Sequence, residues 1–293
     1  MNATLKNILA AMGIPADSIK ETVPFKNEED GEEYKVWKIS LAYRTLVLKA
    51  AKPGEAEIYK SYLSGGTFSV PELIGSTRYD GTDYLLMEYI DGSALTKCAK
   101  SDLTYALDAL IALQARFWQA PEVCGTYHSF EKSLDGRISR GKYLFDEELE
   151  KAYSLYLDAF TSLPRTLCHD DLLPFNVIRD GTRAVLIDWE VGGILPYLTP
   201  LARLLAHSEE SENAFFYMKD ADKAYAIDYF YDHLPMRHGI SYEDYRRSLD
   251  LFIFYELCEW VMLGNKYGNT DGERFRSYFK KAKRLAEAIN AYQ

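Results

Sequence analysis

Between Cys168 and Glu190 the chain reads CHDDLLPFNVIRDGTRAVLIDWE. Three side chains in this stretch have the types and spacing to do chemistry together: Asp171, Asn176 five residues on, and Asp188 after a return. The runs NVIR and AVLID are short and rich in β-branched and aliphatic residues, and the Asp180-Gly181 pair between them predicts a tight reversal. A loop leaving a strand near Leu167 would present Asp171 at its tip. Asn176 would then open the outgoing strand, and Asp188 would close the returning one beside it. Such a set suits phosphoryl transfer, which asks a protein for positioning and charge neutralisation more than for covalent work. Asp171 would accept the proton of an attacking hydroxyl. Asn176 and Asp188 would offer magnesium one neutral and one charged oxygen. His169 is expected to order the loop by hydrogen bonding. Taken singly, each of these residues could instead be a turn cap or hairpin residue; their common register with the apolar pattern favours chemistry.

The elements that must hold this set in place follow from periodicity. Tyr34–Ser40 and Arg44–Ala50 read as strands, with a turn-like Leu41–Tyr43 between them. Pro53-Gly54 opens a helical segment, GEAEIYKSYL, that stops at Gly65-Gly66. Pro71–Arg78 and Tyr84–Tyr89 read as two further strands around the turn YDGTD. Beyond Asp91-Gly92 the pattern changes. Apolar residues at 103, 106, 107, 110, 113 and 117 predict a helix over Asp102–Ala120, and Phe130–Phe160 is again largely helical. From Ala202 onward nearly all reads as helix, with a break near Leu234–Ser241. The expected fold is therefore α+β, with a small sheet-bearing lobe over residues 1–90 and a mostly helical lobe over 91–293.

HDDLLPFNVI followed by LIDWE resembles the HxDxxxxN and downstream aspartate motifs of aminoglycoside phosphotransferases, choline kinases and the eukaryotic-like protein kinases. The resemblance implies a protein kinase-like bilobal fold and transfer of the γ-phosphoryl group of ATP, with GTP the alternative donor, to a hydroxyl. Leu173 stands where serine/threonine protein kinases typically carry lysine, and Asp-Trp-Glu at 188–190 lies nearer the small-molecule enzymes than Asp-Phe-Gly. Upstream, RTLVLKA resembles the strand that carries a phosphate-anchoring lysine, which falls on Lys49; an exposed strand lysine is the plainer alternative. The family pairs that lysine with a helix glutamate. Glu55 and Glu57 are both available, and Glu55 is chosen because it shares the inward face with Ile58, Tyr59 and Tyr62. YLLMEYIDG resembles the interlobe hinge, which implies backbone groups of Glu88, Tyr89 and Ile90 against an adenine edge and Met87 lining the pocket behind. ALIALQARFW resembles the helix after the hinge, with Gln114 where a histidine is common.

Some positions depart from that pattern. Asp170 stands where the aminoglycoside enzymes usually have glycine, and Pro196 and Pro200 replace two acids after Asp188. The phosphate loop would be KNEEDGEEY, in which Gly31 is alone among acids, whereas phosphate-cradling loops offer bare backbone N–H groups. For the acceptor, DLFIFYELCEWVMLGNKY places Glu256 within an apolar helix face, with Glu259 and Trp260 at its flank. Carboxylates among aromatics could hold an ammonium group; alternatively Glu256 pairs with Arg203, Arg246 or Arg247. The acceptor is expected to be a hydroxyl-bearing small molecule such as an amino sugar, amino alcohol or sugar.

Composition bounds the rest. The 293 residues carry a formal charge of −10, which speaks against nucleic acid and anionic membranes as partners. No apolar run approaches the roughly 20 residues of a bilayer span. MNATLKNILAAMGIP reads as a short amphipathic helix rather than a signal peptide. Cys98, Cys124, Cys168 and Cys258 have no zinc-like or disulfide-framework spacing, so a cytoplasmic location is expected. Two other functions compete: a catalytically silent kinase-fold module that binds nucleotide or a partner, and a protein kinase. Retention of Lys49, Asp171, Asn176 and Asp188 opposes the first, and the absence of a long activation segment after Asp188 opposes the second.

Overall fold

The computed structural model describes residues 3–291, apart from 27–30, 66, 97, 124, 126, 212, 213, 215 and 235. The acidic part of the first loop, Cys124 and Gly66 thus lie outside the described residues.

The N-terminal region comprises α1 (Ala3–Ala11), β1 (Ile19–Lys26), β2 (Glu33–Leu41), β3 (Thr45–Ala50), α2 (Glu55–Ile58), β4 (Leu73–Tyr79) and β5 (Thr82–Glu88). Its five strands form one antiparallel sheet in the order β1-β2-β3-β5-β4. Side chains alternate across each strand, and the sheet uses both faces. Leu46, Leu48 and Leu86 point to one side, where they pack on Leu5, Ile8 and Leu9 of the amphipathic α1. Val47, Leu85 and Met87 point to the other, and Lys49 shares that side. The apolar alternation of β3 therefore aims Lys49 at the C-terminal region.

Strand β1 is absent from the sequence reading. Its segment, IKETVPFK, has a proline and three charges, a poor strand signal. It is tolerated because β1 is an edge strand and its pairing with β2 is irregular between Pro24 and Lys26. After α2 the chain continues through a wider π turn over Tyr59–Leu63, with Ser64 N–H donating to the Tyr59 carbonyl at 2.7 Å.

The C-terminal region follows with β6 (Ser93–Ala94), α3 (Lys100–Arg116), α4 (Phe130–Gly141), α5 (Glu147–Ser162), β7 (Arg165–Cys168), β8 (Val177–Arg179), β9 (Ala184–Leu186), β10 (Gly193–Pro196) and α6 (Thr199–Ala206). It is completed by β11 (Ser208–Glu209), β12 (Phe216–Tyr217), α7 (Asp220–His233), α8 (Tyr242–Tyr267) and α9 (Glu273–Ala291). Antiparallel sheet followed by packed helices makes the molecule α+β, as expected. The helical stretch starts earlier than Ala202, because Pro200 fits the first turn of α6, where its missing N–H costs nothing. The parallel pair β11–β12 interrupts the stretch expected to be helical. Helices α5, α6, α8 and α9 bury an aromatic core in which Tyr156 stacks on Tyr255 at 4.6 Å and meets Phe252 edge-on at 5.2 Å. Among the described residues no helix is long and apolar enough to cross a membrane.

Candidate active site

The loop between β7 and β8 is built around His169, which is fully buried. Its Nε2–H donates to the Ile187 carbonyl at 2.7 Å, and its Nδ1 accepts the Asp171 N–H at 3.3 Å. Both ring nitrogens are thus committed, and burial lowers its pKa, so His169 is a neutral tie that fixes Asp171. Asn176 adds a second tie. Its amide donates to the Asp171 backbone carbonyl at 2.8 Å and to the carboxylate at 3.4 Å. The Ile187 N–H donates to the Asn176 carbonyl at 2.9 Å, and Val177 pairs with Leu186 in the β8–β9 ladder. That register delivers Asp188 next to Asn176.

Asp188 has φ +63°, a left-handed backbone that aspartate tolerates better than most side chains. From there its Oδ1 accepts Lys49 Nζ at 2.6 Å. Lys49 also donates to Glu55 Oε1 at 2.7 Å, so strand β3, helix α2 and the β9 exit meet at one ammonium. Burial works to lower the Lys49 pKa, but the carboxylates of Glu55 and Asp188 outweigh it and raise it. Glu55 is wholly buried and its second oxygen accepts the Lys52 N–H. Burial raises its pKa against the opposing pull of Lys49. Glu57 points elsewhere, accepting the Gly125 N–H.

Glu190 belongs to this group although the sequence reading gave it no role. One carboxylate oxygen each from Glu55, Asp188 and Glu190 lies within 4.8 Å of the others. Burial and the Asp188 charge raise the Glu190 pKa. The legible signal was an acid two residues past Asp188, on the same exit from β9. Carboxylate oxygens are the hard donors that a small divalent cation such as magnesium takes, and Asp188 and Glu190 can supply them while Glu55 stays on Lys49.

Asp171 is paired with Arg203 of α6, whose Nε and Nη2 donate to Oδ1 at 3.0 and 2.8 Å. Burial nevertheless leaves the Asp171 pKa raised. The same guanidinium reaches Glu256 at 2.7 Å and Glu259 at 2.9 Å through Nη1. Of the two arrangements open to Glu256, the ion pair with Arg203 is the one present. Both carboxylates of α8 are already ion-paired, Glu259 also with Arg140 and the Tyr255 hydroxyl. Burial opposes charge on Glu259, yet Arg203 and Arg140 hold its pKa below the usual range. A buried carboxylate needs such partners. Trp260 turns to α9, against Tyr278 at 5.6 Å and beneath Arg274. The sequence offered Arg203 as a partner for Glu256; its hold on Asp171 had no clue beyond a basic residue in an otherwise apolar helix, LARLLAH.

At the hinge, Met87 is buried on the Lys49 side of the sheet and Ile90 is buried just beyond. The Glu88 N–H, however, donates to the Glu72 carbonyl, and its carboxylate accepts Arg183 at 2.7 Å. That N–H is committed to the sheet and is not free to meet an adenine edge. The ring of Tyr89 lies under Lys38, 4.3 Å from its Nζ. Gln114 is buried and donates to the Tyr197 carbonyl at 2.8 Å. Asp170 accepts buried Arg137 at 2.7 Å, a pairing that glycine could not make.

Residues 27–238 match the model of the phosphotransferase enzyme family. Among solved structures the fold is similar to aminoglycoside phosphotransferase APH(4)-Ia in a ternary complex with ADP and hygromycin B (17% identity, 98% of each chain, TM-score 0.57). It is also similar to choline kinase LicA from Streptococcus pneumoniae (15% identity, 97% of this chain and 98% of that one, TM-score 0.53). A third similar structure is choline kinase from Cryptosporidium parvum Iowa II (15% identity, 97% and 95%, TM-score 0.59). At such identities the likeness speaks for the fold. No curated protein matches the chain significantly.

Proposed function

The chain belongs to the phosphotransferase enzyme family, and from that premise we propose that it transfers the γ-phosphoryl group of ATP, or of GTP as the alternative donor, to a hydroxyl of a small molecule. The observation that carries this reading is the ammonium of Lys49 held between Glu55 and Asp188, with Asp171 tethered by His169, which also bonds the Ile187 carbonyl just before Asp188.

In this reading residues 1–90 bind the nucleotide and 91–293 supply catalysis and the acceptor site. Lys49 meets the phosphates, and Glu55 keeps its ammonium in place when Asp188 turns to a cation. Met87, Ile90 and the carbonyl of Glu88 border the base, with Tyr89 completing the hinge. Magnesium, when bound to Asp188, Asn176 and Glu190, would neutralise phosphate charge. Asp171 has one oxygen taken by Arg203; the other can accept the proton of the attacking hydroxyl. As the new O–P bond forms, the bond from the γ-phosphorus to ADP breaks and the hydroxyl proton passes to Asp171. Structures of similar fold were solved with ADP and hygromycin B or are choline kinases, which supports a small polar acceptor.

The test is a screen of hydroxyl compounds (aminoglycosides, amino alcohols, sugars, hydroxy acids and sugar phosphates), read by ADP release with and without Mg2+. Metal-dependent release that requires one acceptor class supports the reading. ATP binding with no release for any compound would instead indicate a silent nucleotide-binding module, and phosphorylation of a generic protein substrate a protein kinase.

A further inference from the structure

Beside the catalytic loop lies a cavity of about 390 Å³, large enough for a small metabolite. Asp170, next to Asp171, lines it, as does Glu190, two residues past Asp188. One wall is α4. Lys132, Gly136 and Arg140 are four residues apart, so all three lie on one helix face, the face that lines the cavity. Gly136 leaves that wall bare: a Cβ there would meet nothing within 4 Å.

The charge of this cavity runs against that of the molecule. The chain as a whole carries −10, yet the lining has four cations, Lys52, Lys132, Arg137 and Arg140, against two carboxylates, Asp170 and Glu190. Arg137 and Asp170 neutralise one another. Arg140 shares Glu259 with Arg203, and its side chain remains two-fifths exposed. Lys52 and Lys132 have no carboxylate within ion-pairing distance among the described residues; Lys132 rests over the Tyr127 ring at 4.3 Å. Two unpaired ammonium groups and an under-compensated guanidinium thus face one concave space, where low-dielectric walls strengthen their field. The two α8 carboxylates that would have welcomed a cation are already taken by Arg203.

Resting on the phosphotransferase reading, we propose that this cavity is the acceptor subsite and that it selects hydroxyl compounds bearing an oxyanion, a carboxylate or a phosphate ester, held by Lys52, Lys132 and Arg140. Arg140, with Nε on the Gly136 carbonyl and Nη1 on Glu259, offers Nη2, and the lysines offer mobile point charges, which together suit an oxyanion at the mouth of the site. The N-terminus of α4, capped by Ser129, adds partial positive charge on the same side.

The experiment compares kcat and KM for matched acceptors that differ by the oxyanion: hydroxy amino acids against amino alcohols, sugar acids against sugars, and sugar phosphates against sugars. Wild-type protein is measured beside Lys132→Glu and Gly136→Glu, both at positions that tolerate a new side chain. The expected result is a preference for one anionic arm, the carboxylate or the phosphate ester identifying the source. In both variants KM for that acceptor should rise about tenfold or more, since each charge-assisted contact carries that much, while KM for ATP stays unchanged. Turnover of neutral or cationic acceptors with no gain from an oxyanion, or an unchanged KM in both variants, would overturn this inference and leave the kinase reading intact. Absence of both ATP and GTP consumption with every acceptor would overturn both.

Discussion

Arg203 grips Asp171 by a single carboxylate oxygen, with two guanidinium nitrogens at 3.0 and 2.8 Å on Oδ1. The cation that positions Asp171, the proposed proton acceptor, also joins it to Glu256 and Glu259 of α8. Orientation of Asp171 and packing of the helical region therefore share one side chain.

The first expectation concerns pH. Burial raises the Asp171 pKa, with Arg203 pulling the other way. The acid limb of kcat/KM should therefore lie above the ordinary aspartate range near 3.8. Arg203→Gln removes the cation that favours the charged form, so the limb should move to higher pH. A limb that stays in place would show that Arg203 does not act on Asp171.

The same substitution should also be costly to fold. It takes the guanidinium from buried Glu256, while Glu259 keeps Arg140 and the Tyr255 hydroxyl, and removing one partner of a buried ion pair typically costs about 3–5 kcal/mol. Urea denaturation at neutral pH reads this directly. The double variant Arg203→Gln/Glu256→Gln should recover part of the loss.

Lys49→Met should leave the fold largely intact while lowering kcat/KM for ATP about 100-fold, the order expected for a preorganised group lost from transition-state stabilisation. Glu55→Gln keeps the ammonium but loosens its hold, and a smaller loss is expected. Equal ATP affinity and turnover in Lys49→Met and wild type would remove Lys49 from the nucleotide site.

Asp146 tests the helical framework away from the site. It caps α5 through the Glu148 and Leu149 N–H groups at 3.1 Å and ties α9 through Lys283. Burial would raise its pKa, but the Lys283 bond and the cap hydrogen bonds outweigh it and lower it. A depressed carboxylate stabilises the fold at neutral pH and loses that contribution as pH falls through its folded-state pKa. Asp146→Ala should cost about 1–2 kcal/mol at pH 7. The difference from wild type should shrink below pH 4, as measured by urea denaturation.

Gly92 sits where the chain leaves the sheet for the helical region. A Cβ there would come within 2.7 Å of the Arg179 carbonyl carbon and closer still to its oxygen, which belong to backbone and cannot swing away. Gly92→Ala should destabilise by about 1–3 kcal/mol. Thermal unfolding reads that loss, and an unchanged Tm would count against this close approach.

Much of the molecule was legible in its sequence because the signals were local. The alternation of RTLVLKA set the face of Lys49, and the Asp-Gly turn set the register that brings Asp188 to Asn176. Glu55 was separable from Glu57 by helix face alone, and the two do point apart. Other features depend on partners far along the chain. Strand β1 exists because β2 lends it an edge, against its own proline and charges. The Arg203–Asp171 pair, Arg137 and Glu190 acquire meaning only through residues brought in by folding, such as Glu55 beside Glu190. For Glu256 the sequence left both an ammonium ligand and an arginine partner open, since it cannot tell a free buried acid from one already paired; Arg203 is the partner.

The most direct test is Asp171→Asn, which keeps the side chain's shape and removes its ability to accept a proton. ATP binding with Mg2+, by calorimetry, and acceptor-dependent ADP release should be measured on the same preparation. The expected result is nucleotide affinity within a few-fold of wild type and ADP release reduced at least about 100-fold, the scale of a lost general base. ADP release near the wild-type rate on the same acceptor would contradict the assignment of Asp171 as the proton acceptor.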